Sequence, residues 1–113
     1  MSEADTSTHE VDNIDRAIHA PARLIIMIIL NAADVVDFVY LLRETRLTTG
    51  NLASHLKKLE EVDYVAMKKA FQGRTSLTTY GLTEKGRSAF RDYREQMRRI
   101  ISPIPMDDSP SAE

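Results

Sequence analysis

Two short stretches hold most of the side chains in this sequence that could do chemistry. The first is Thr48-Thr49-Gly50-Asn51-Leu52-Ala53-Ser54-His55-Leu56-Lys57-Lys58, and the second is Lys68-Lys69-Ala70-Phe71-Gln72-Gly73-Arg74-Thr75. Both mix hydrogen-bonding and cationic groups, and neither contains an acid. An amide such as that of Asn51 can pair bidentately with an adenine edge. Ser54 can bond a base or a phosphate, and Lys57 and Lys58 suit phosphate oxygens. Lys68, Lys69, Arg74 and Thr75 bracket a glycine turn, from which Arg74 can reach a sugar-phosphate backbone or a narrow minor groove. The plainer alternative is a capping Thr49, a surface Asn51 and a solvated lysine face with Glu60 and Glu61 nearby.

Catalysis finds little support. Ser54 and His55 are adjacent, and adjacent residues on a helix diverge, so they make no nucleophile–base pair. There is no glycine-rich phosphate loop and no cysteine, which excludes a disulfide framework, a thiolate zinc site and a cysteine nucleophile. His9, His19 and His55 are scattered, and Asp34 and Asp37 with His19 lack a metal-ligand spacing. No metal and no cofactor is expected. His55 falls between the inward and outward faces of its helix and reads as a packed or phosphate-bonding residue.

The elements that must position these side chains follow from periodicity. Val11, Ile14 and Ile18 suggest a short amphipathic helix, ending near Ala20 because the residue before Pro21 is disfavoured in the α region. Pro21 suits the first turn of a second helix through ARLIIMIILNAA, apolar on almost every side and therefore central. Asp34–Asp37 reads as a connection, with Asp37 capping a helix from Phe38 to about Thr45. Thr48 and Thr49 are natural N-caps for the third main helix, about Gly50–Val62, which buries Leu52, Leu56 and Leu59. With those three inward, Gly50, Ser54, Lys57 and Glu61 point outward, flanked by Asn51 and Lys58. A strand over Tyr64–Phe71, a turn at Gln72-Gly73-Arg74 and a strand over Thr75–Leu82 make a hairpin. Thr83 caps a last helix, Glu84 to about Ile101, with Glu84 in the first turn where the helix dipole favours it. The fold class is mainly α with a small β-hairpin (α+β): a winged helix-turn-helix.

At 113 residues, 42% hydrophobic and 28% charged, the chain is one ordinary globular domain. Its net charge of −2 conceals segregation. Residues 1–15 carry five acids and no Lys or Arg, residues 101–113 carry three acids, and residues 16–100 hold all 15 basic residues against nine acids, net +6. The polar, acidic residues 1–10 and the proline-rich residues 102–113 are expected to be disordered tails around a domain at 11–101. The longest apolar run, seven residues from Leu24 to Leu30, is far too short to span a bilayer, and the opening is no secretory signal. A cytoplasmic protein with no membrane partner is expected.

The stretches IHAPARLIIMIIL and LTTGNLASHLKKLEEVDYVAMKKAFQGRTSLTTYGLTEKGRSAF resemble the winged-helix DNA-binding regulators related to the MarR and ArsR groups. They look most like the small stand-alone winged-helix DNA-binding domains of archaea and bacteria. The resemblance covers about residues 14–95. It departs at Ala20, where that family often has a serine, and at Asp63, where a glycine usually ends the recognition helix. The resemblance implies a transcription regulator, usually a homodimer, without catalytic activity.

In the last helix Phe90, Tyr93, Met97 and Ile100 repeat as a heptad-like seam, so a two-fold partner is expected there, joined by Ile14 and Ile18. The expected DNA surface is Thr48, Thr49, Gly50, Asn51, Ser54, His55, Lys57 and Lys58 with Lys68, Lys69, Arg74 and Thr75. Arg87, Arg91, Arg94 and Arg98 read as a solvated face, paired in part with Glu84 and Glu95. A small-molecule effector of unknown chemistry is left open. The competing reading is a non-catalytic protein-interaction module built on the same scaffold.

Overall fold

A computed structural model describes residues 11–105. Residues 11–12 are helical, and from Pro21 on the elements follow in the order α1 Pro21–Ala32, β1 Val36–Asp37, α2 Phe38–Thr45, α3 Thr49–Glu61, β2 Val65–Gln72, β3 Thr75–Leu82 and α4 Glu84–Ile101, the strands forming one antiparallel sheet. This is a winged-helix fold: α2 and α3 form the helix-turn-helix, and β2 and β3 form the wing.

The caps fall where side-chain chemistry puts them. Asp37 accepts from the Tyr40 N–H at 2.7 Å, Thr48 from the Asn51 N–H at 3.1 Å and Thr83 from the Gly86 N–H at 2.9 Å. Each satisfies one of the donors that a helix start leaves open. Pro21 occupies the first turn of α1, where its missing N–H costs nothing. The wing closes with a two-residue loop, Gly73-Arg74, since Gln72 pairs with Thr75. Gly73 takes φ +66°, the left-handed region that a tight hairpin requires of its first loop residue.

Three sequence expectations are corrected. Residues 13–20 form turns rather than the expected helix. Asp15 is the cause: its Oδ1 accepts from the N–H groups of Ala17 (2.9 Å) and Ile18 (3.3 Å), a local bonding pattern that competes with helix. The connection before α2 contains the strand β1, in which Val36 pairs with Tyr80 and Asp37 with Thr79, giving the sheet order β1-β3-β2. Two paired residues leave too little alternation for a pattern to detect. Finally, α1 is not enclosed all round. Ile26, Met27 and Leu30 are fully buried, but Ile25 and Ile28 are 44% and 50% exposed. Of the expected tails, residues 1–10 and 106–113 lie outside the described residues, and residues 102–105 add a further turn after α4.

The core gathers Ile26, Met27 and Leu30 of α1, Leu41 of α2, Leu52, Leu56 and Leu59 of α3, and Phe90 and Tyr93 of α4. Burying the three α3 leucines contributes about 1.5–3 kcal/mol each and fixes which side of that helix faces outward. The far end of α3 closes by a Schellman motif. Tyr64 N–H donates to Leu59 O and Asp63 N–H to Glu60 O, both at 2.9 Å, with Asp63 at φ +63° where glycine is usual. Among the described residues no helix is long and apolar enough to cross a membrane.

Two substitutions test this joint by urea denaturation. A Cβ at Gly86 would lie 2.1 Å from the Tyr64 carbonyl oxygen, so Gly86→Ala is expected to cost about 2–3 kcal/mol or more. Asp63→Gly relieves a left-handed non-glycine residue and is expected to raise stability by about 0.5–1 kcal/mol.

Candidate nucleic-acid interface

One continuous surface collects the residues singled out from sequence. In and before α3, Thr48, Thr49, Gly50, Asn51, Ser54, Lys57 and Lys58 are all exposed, and only His55 is half-buried. On the wing, Lys68, Lys69, Arg74 and Thr75 are exposed. The five cations of this set form no ion pair among the described residues. Thr48, not Thr49, is the N-cap, so its hydroxyl oxygen is already an acceptor while its O–H remains able to donate. Asn51 stands at the third helical position, with its backbone N–H used by the cap and its amide on the surface.

His55 is held by a residue the sequence reading missed. Arg23 of α1 donates through Nε to the Ala17 carbonyl at 2.6 Å and through Nη2 to the Arg16 carbonyl at 3.3 Å. Its Nη1 lies 3.2 Å from His55 Nδ1. A guanidinium can only donate, so His55 Nδ1 must accept, and the imidazole proton sits on Nε2. Burial lowers the His55 pKa below its ordinary 6.5, and the charges of Arg23 and Lys58 add to this. His55 is thus a neutral ring with one directed donor. Its spacing from Arg23 carries no periodic signal, so only the fold reveals the pair.

A second missed pair ties the irregular N-terminal segment to the wing. Tyr64 donates its hydroxyl to Asp15 Oδ2 at 2.5 Å. Burial first, and then this bond to a carboxylate, push the tyrosine pKa up to about 12. His19 Nδ1 and the Tyr93 hydroxyl are 2.9 Å apart.

The residues expected at a partner interface divide into two sets. Ile14, Ile18, Phe90 and Tyr93 are packed into the chain's own core, Ile18 with no exposed surface at all. Met97 and Ile100 are only partly buried. Met97 and Ile101 instead face Leu24 and Ile28 across an open groove between α4 and α1. Of the arginine face, Arg98 pairs with Glu95 as expected, whereas Arg87 lies 3.8 Å from Asp34 and Arg91 bonds Ser88.

An exposed reading helix with a cationic wing beside it is the architecture of a winged-helix DNA-binding protein. Residues 22–101 match the family described as winged helix DNA-binding domain, and the chain belongs to it. An uncharacterized protein of Methanocaldococcus jannaschii is 39% identical over 79 residues, which is 69% of this chain and 85% of that one. Among solved structures, a transcriptional regulator homologue from Pyrococcus horikoshii superposes with TM-score 0.81 at 26% identity, covering 87% of this chain and 99% of that one. A MarR-family regulator from Enterococcus faecalis shares the fold, with TM-score 0.65 and 16% identity over 88% of this chain and 86% of its own.

A histidine with a lowered pKa supplies stability that is present above about pH 6.5 and lost as pH falls through its folded value. Between about pH 7.5 and 5.5 the urea midpoint of the wild type should therefore drop further than that of His55→Gln. Equal drops would show that burial and the neighbouring Arg23 and Lys58 charges do not hold the ring neutral.

Proposed function

We propose that this protein is a sequence-specific transcription regulator that binds duplex DNA as a homodimer in the cytoplasm. In this reading α3 enters the major groove, and the wing lies on the backbone or in the minor groove. The observation that carries it is the surface just described: a leucine-anchored helix whose polar, lysine-bearing side is open to solvent, next to a hairpin with three cations and no acid between Tyr64 and Thr83.

Roles follow from position. Asn51 and Ser54, in the first half of α3, lie where recognition helices meet base edges, and Lys57 and Lys58 further along suit phosphate. His55 Nε2–H is a fixed donor for a phosphate oxygen. Gly50 is informative because the fold does not need it: a Cβ there would meet nothing within 4 Å, and glycine in a helix costs about 0.5–1 kcal/mol relative to alanine. Close approach of a duplex to the helix start accounts for that cost.

The apolar groove between α1 and α4 is assigned to the second copy. Along it Ile28 and Ile101 are exposed and Met97 is only partly covered, with Ile25 exposed on the same α1 and Ile100 partly covered on the same α4. A two-fold partner would bury them and set two reading helices about 34 Å apart, one turn of DNA.

Selection of bound duplexes from a randomised pool tests the reading. Enrichment of one sequence, bound at about 10⁻⁸–10⁻¹¹ M, is expected, and failure to enrich any would sink it. Gly50→Ala should stabilise the fold by up to about 1 kcal/mol yet weaken DNA binding about tenfold. Lys57→Ala should weaken binding to all duplexes alike and reduce the log–log salt slope by about 0.9. If binding survives glutamate at Lys57, Lys58 and Arg74 together, a protein-interaction role replaces this one. Sedimentation of Ile28→Glu should give a monomer where the wild type gives a dimer, because a carboxylate would be buried unpaired in the contact.

A further inference from the structure

Phe71 is the most exposed large hydrophobic side chain of the described residues, at 74%. It sits two positions before the Gly73-Arg74 loop, opposite Ser76 on β3. Successive strand residues alternate between faces, so Phe71 shares its face with Lys69 and with Met67, itself 45% exposed. Nothing inside the molecule calls for an aromatic ring here. Only Val65 of β2 is buried, and the sequence offers polar β-formers in the same hairpin, such as Thr75, Thr78 and Thr79.

The surroundings limit what could cover that ring. From Tyr64 to Thr83 the chain has Lys68, Lys69 and Arg74 and not one carboxylate. The face therefore suits a polyanion that also offers apolar surface. The minor groove of duplex DNA does both: phosphates line its rims, its walls are deoxyribose, and proteins that use it insert apolar wedges between base steps. The tip is a two-residue loop, Gly73-Arg74, with open space beside Gly73, and a narrow minor groove attracts arginine.

We infer that Phe71 is a DNA-contacting residue of the wing, an apolar wedge packed into the minor groove beside Arg74. The inference rests on the DNA-binding reading above and adds a contact that charge alone does not provide. The two wing residues then act in different ways. Arg74 neutralises phosphate and displaces a counterion, whereas Phe71 buries apolar surface and displaces none. Phe71 would also make the wing sensitive to how readily the flanking sequence unstacks, which is specificity without a base-edge hydrogen bond.

The difference gives the test. Fluorescence anisotropy across a salt series, with the full chain and the duplex enriched by selection, compares wild type, Phe71→Ser, Phe71→Leu and Arg74→Ala. Phe71→Ser should bind about tenfold more weakly, roughly 1.4 kcal/mol, with an unchanged salt slope. Phe71→Leu should recover most of the loss, and Arg74→Ala should lower the slope by about 0.9. The exposed position makes the urea midpoint of Phe71→Ser equal to that of the wild type, so misfolding is separable. Wild-type affinity in Phe71→Ser overturns the inference while leaving the DNA reading intact. A change of oligomeric state in that variant also overturns it, by assigning the ring to a contact between copies. Absence of DNA binding by the wild type overturns both readings.

Discussion

The geometry of the DNA-facing surface depends on one crowded joint, where the end of α3 meets the start of α4. Tyr64 O accepts the Thr83 N–H, Asp63 O accepts the Thr83 hydroxyl, and the same hydroxyl oxygen accepts the Gly86 N–H. Gly86 has no side chain, so α4 can press its first turn against the Tyr64 carbonyl. The two strands of the wing leave from Val65 and return at Leu82, both inside this joint. The wing is therefore splinted to α3 at its base, not hinged by a loop. A surface that must fit a rigid duplex at two places benefits from that, because ordering a loose hairpin on binding would cost conformational entropy.

Charge segregation explains why a chain of net charge −2 can present a polyanion-binding face. The acids are concentrated near the two ends of the sequence, and the paired arginines lie on α4, where Glu95 and the neighbouring Asp34 take up Arg98 and Arg87. On α3 and the wing the lysines and Arg74 have no such partners among the described residues. A field is set by where charges sit, not by their sum.

Much of this organisation was legible in the sequence because it rests on local chemistry. Threonine at 48 and 83, aspartate at 37 and proline at 21 announce helix starts. The spacing of Leu52, Leu56 and Leu59 assigns the faces of α3, and Gly73 marks the turn. What stayed hidden depends on contacts distant in sequence or on too few residues. Asp15 breaks the expected first helix by bonding its own neighbours, β1 is two residues long, and Arg23 finds His55 only after α1 packs on α3. The heptad-like seam of α4 misled in a specific way. Phe90 and Tyr93 have the spacing of a partner stripe, but a helix at the end of a small domain must first cover its own core, and only its second half, Met97 and Ile100, keeps surface to spare.

The position of α1 ties these features together. Its buried side supplies Ile26, Met27 and Leu30 to the core; its Arg23 end fixes the orientation of His55 on α3; and its Ile28 lies across the groove from Met97 and Ile101 of α4. One helix thus borders the core, the reading helix and the apolar groove at once. A 12-residue helix is stiff on the scale of these contacts, so whatever occupies the groove bears on the same rigid body that aims His55. Close packing makes such a body move as a unit or not at all. The half-buried imidazole of His55 is joined to this body through its 3.2 Å hydrogen bond to Arg23.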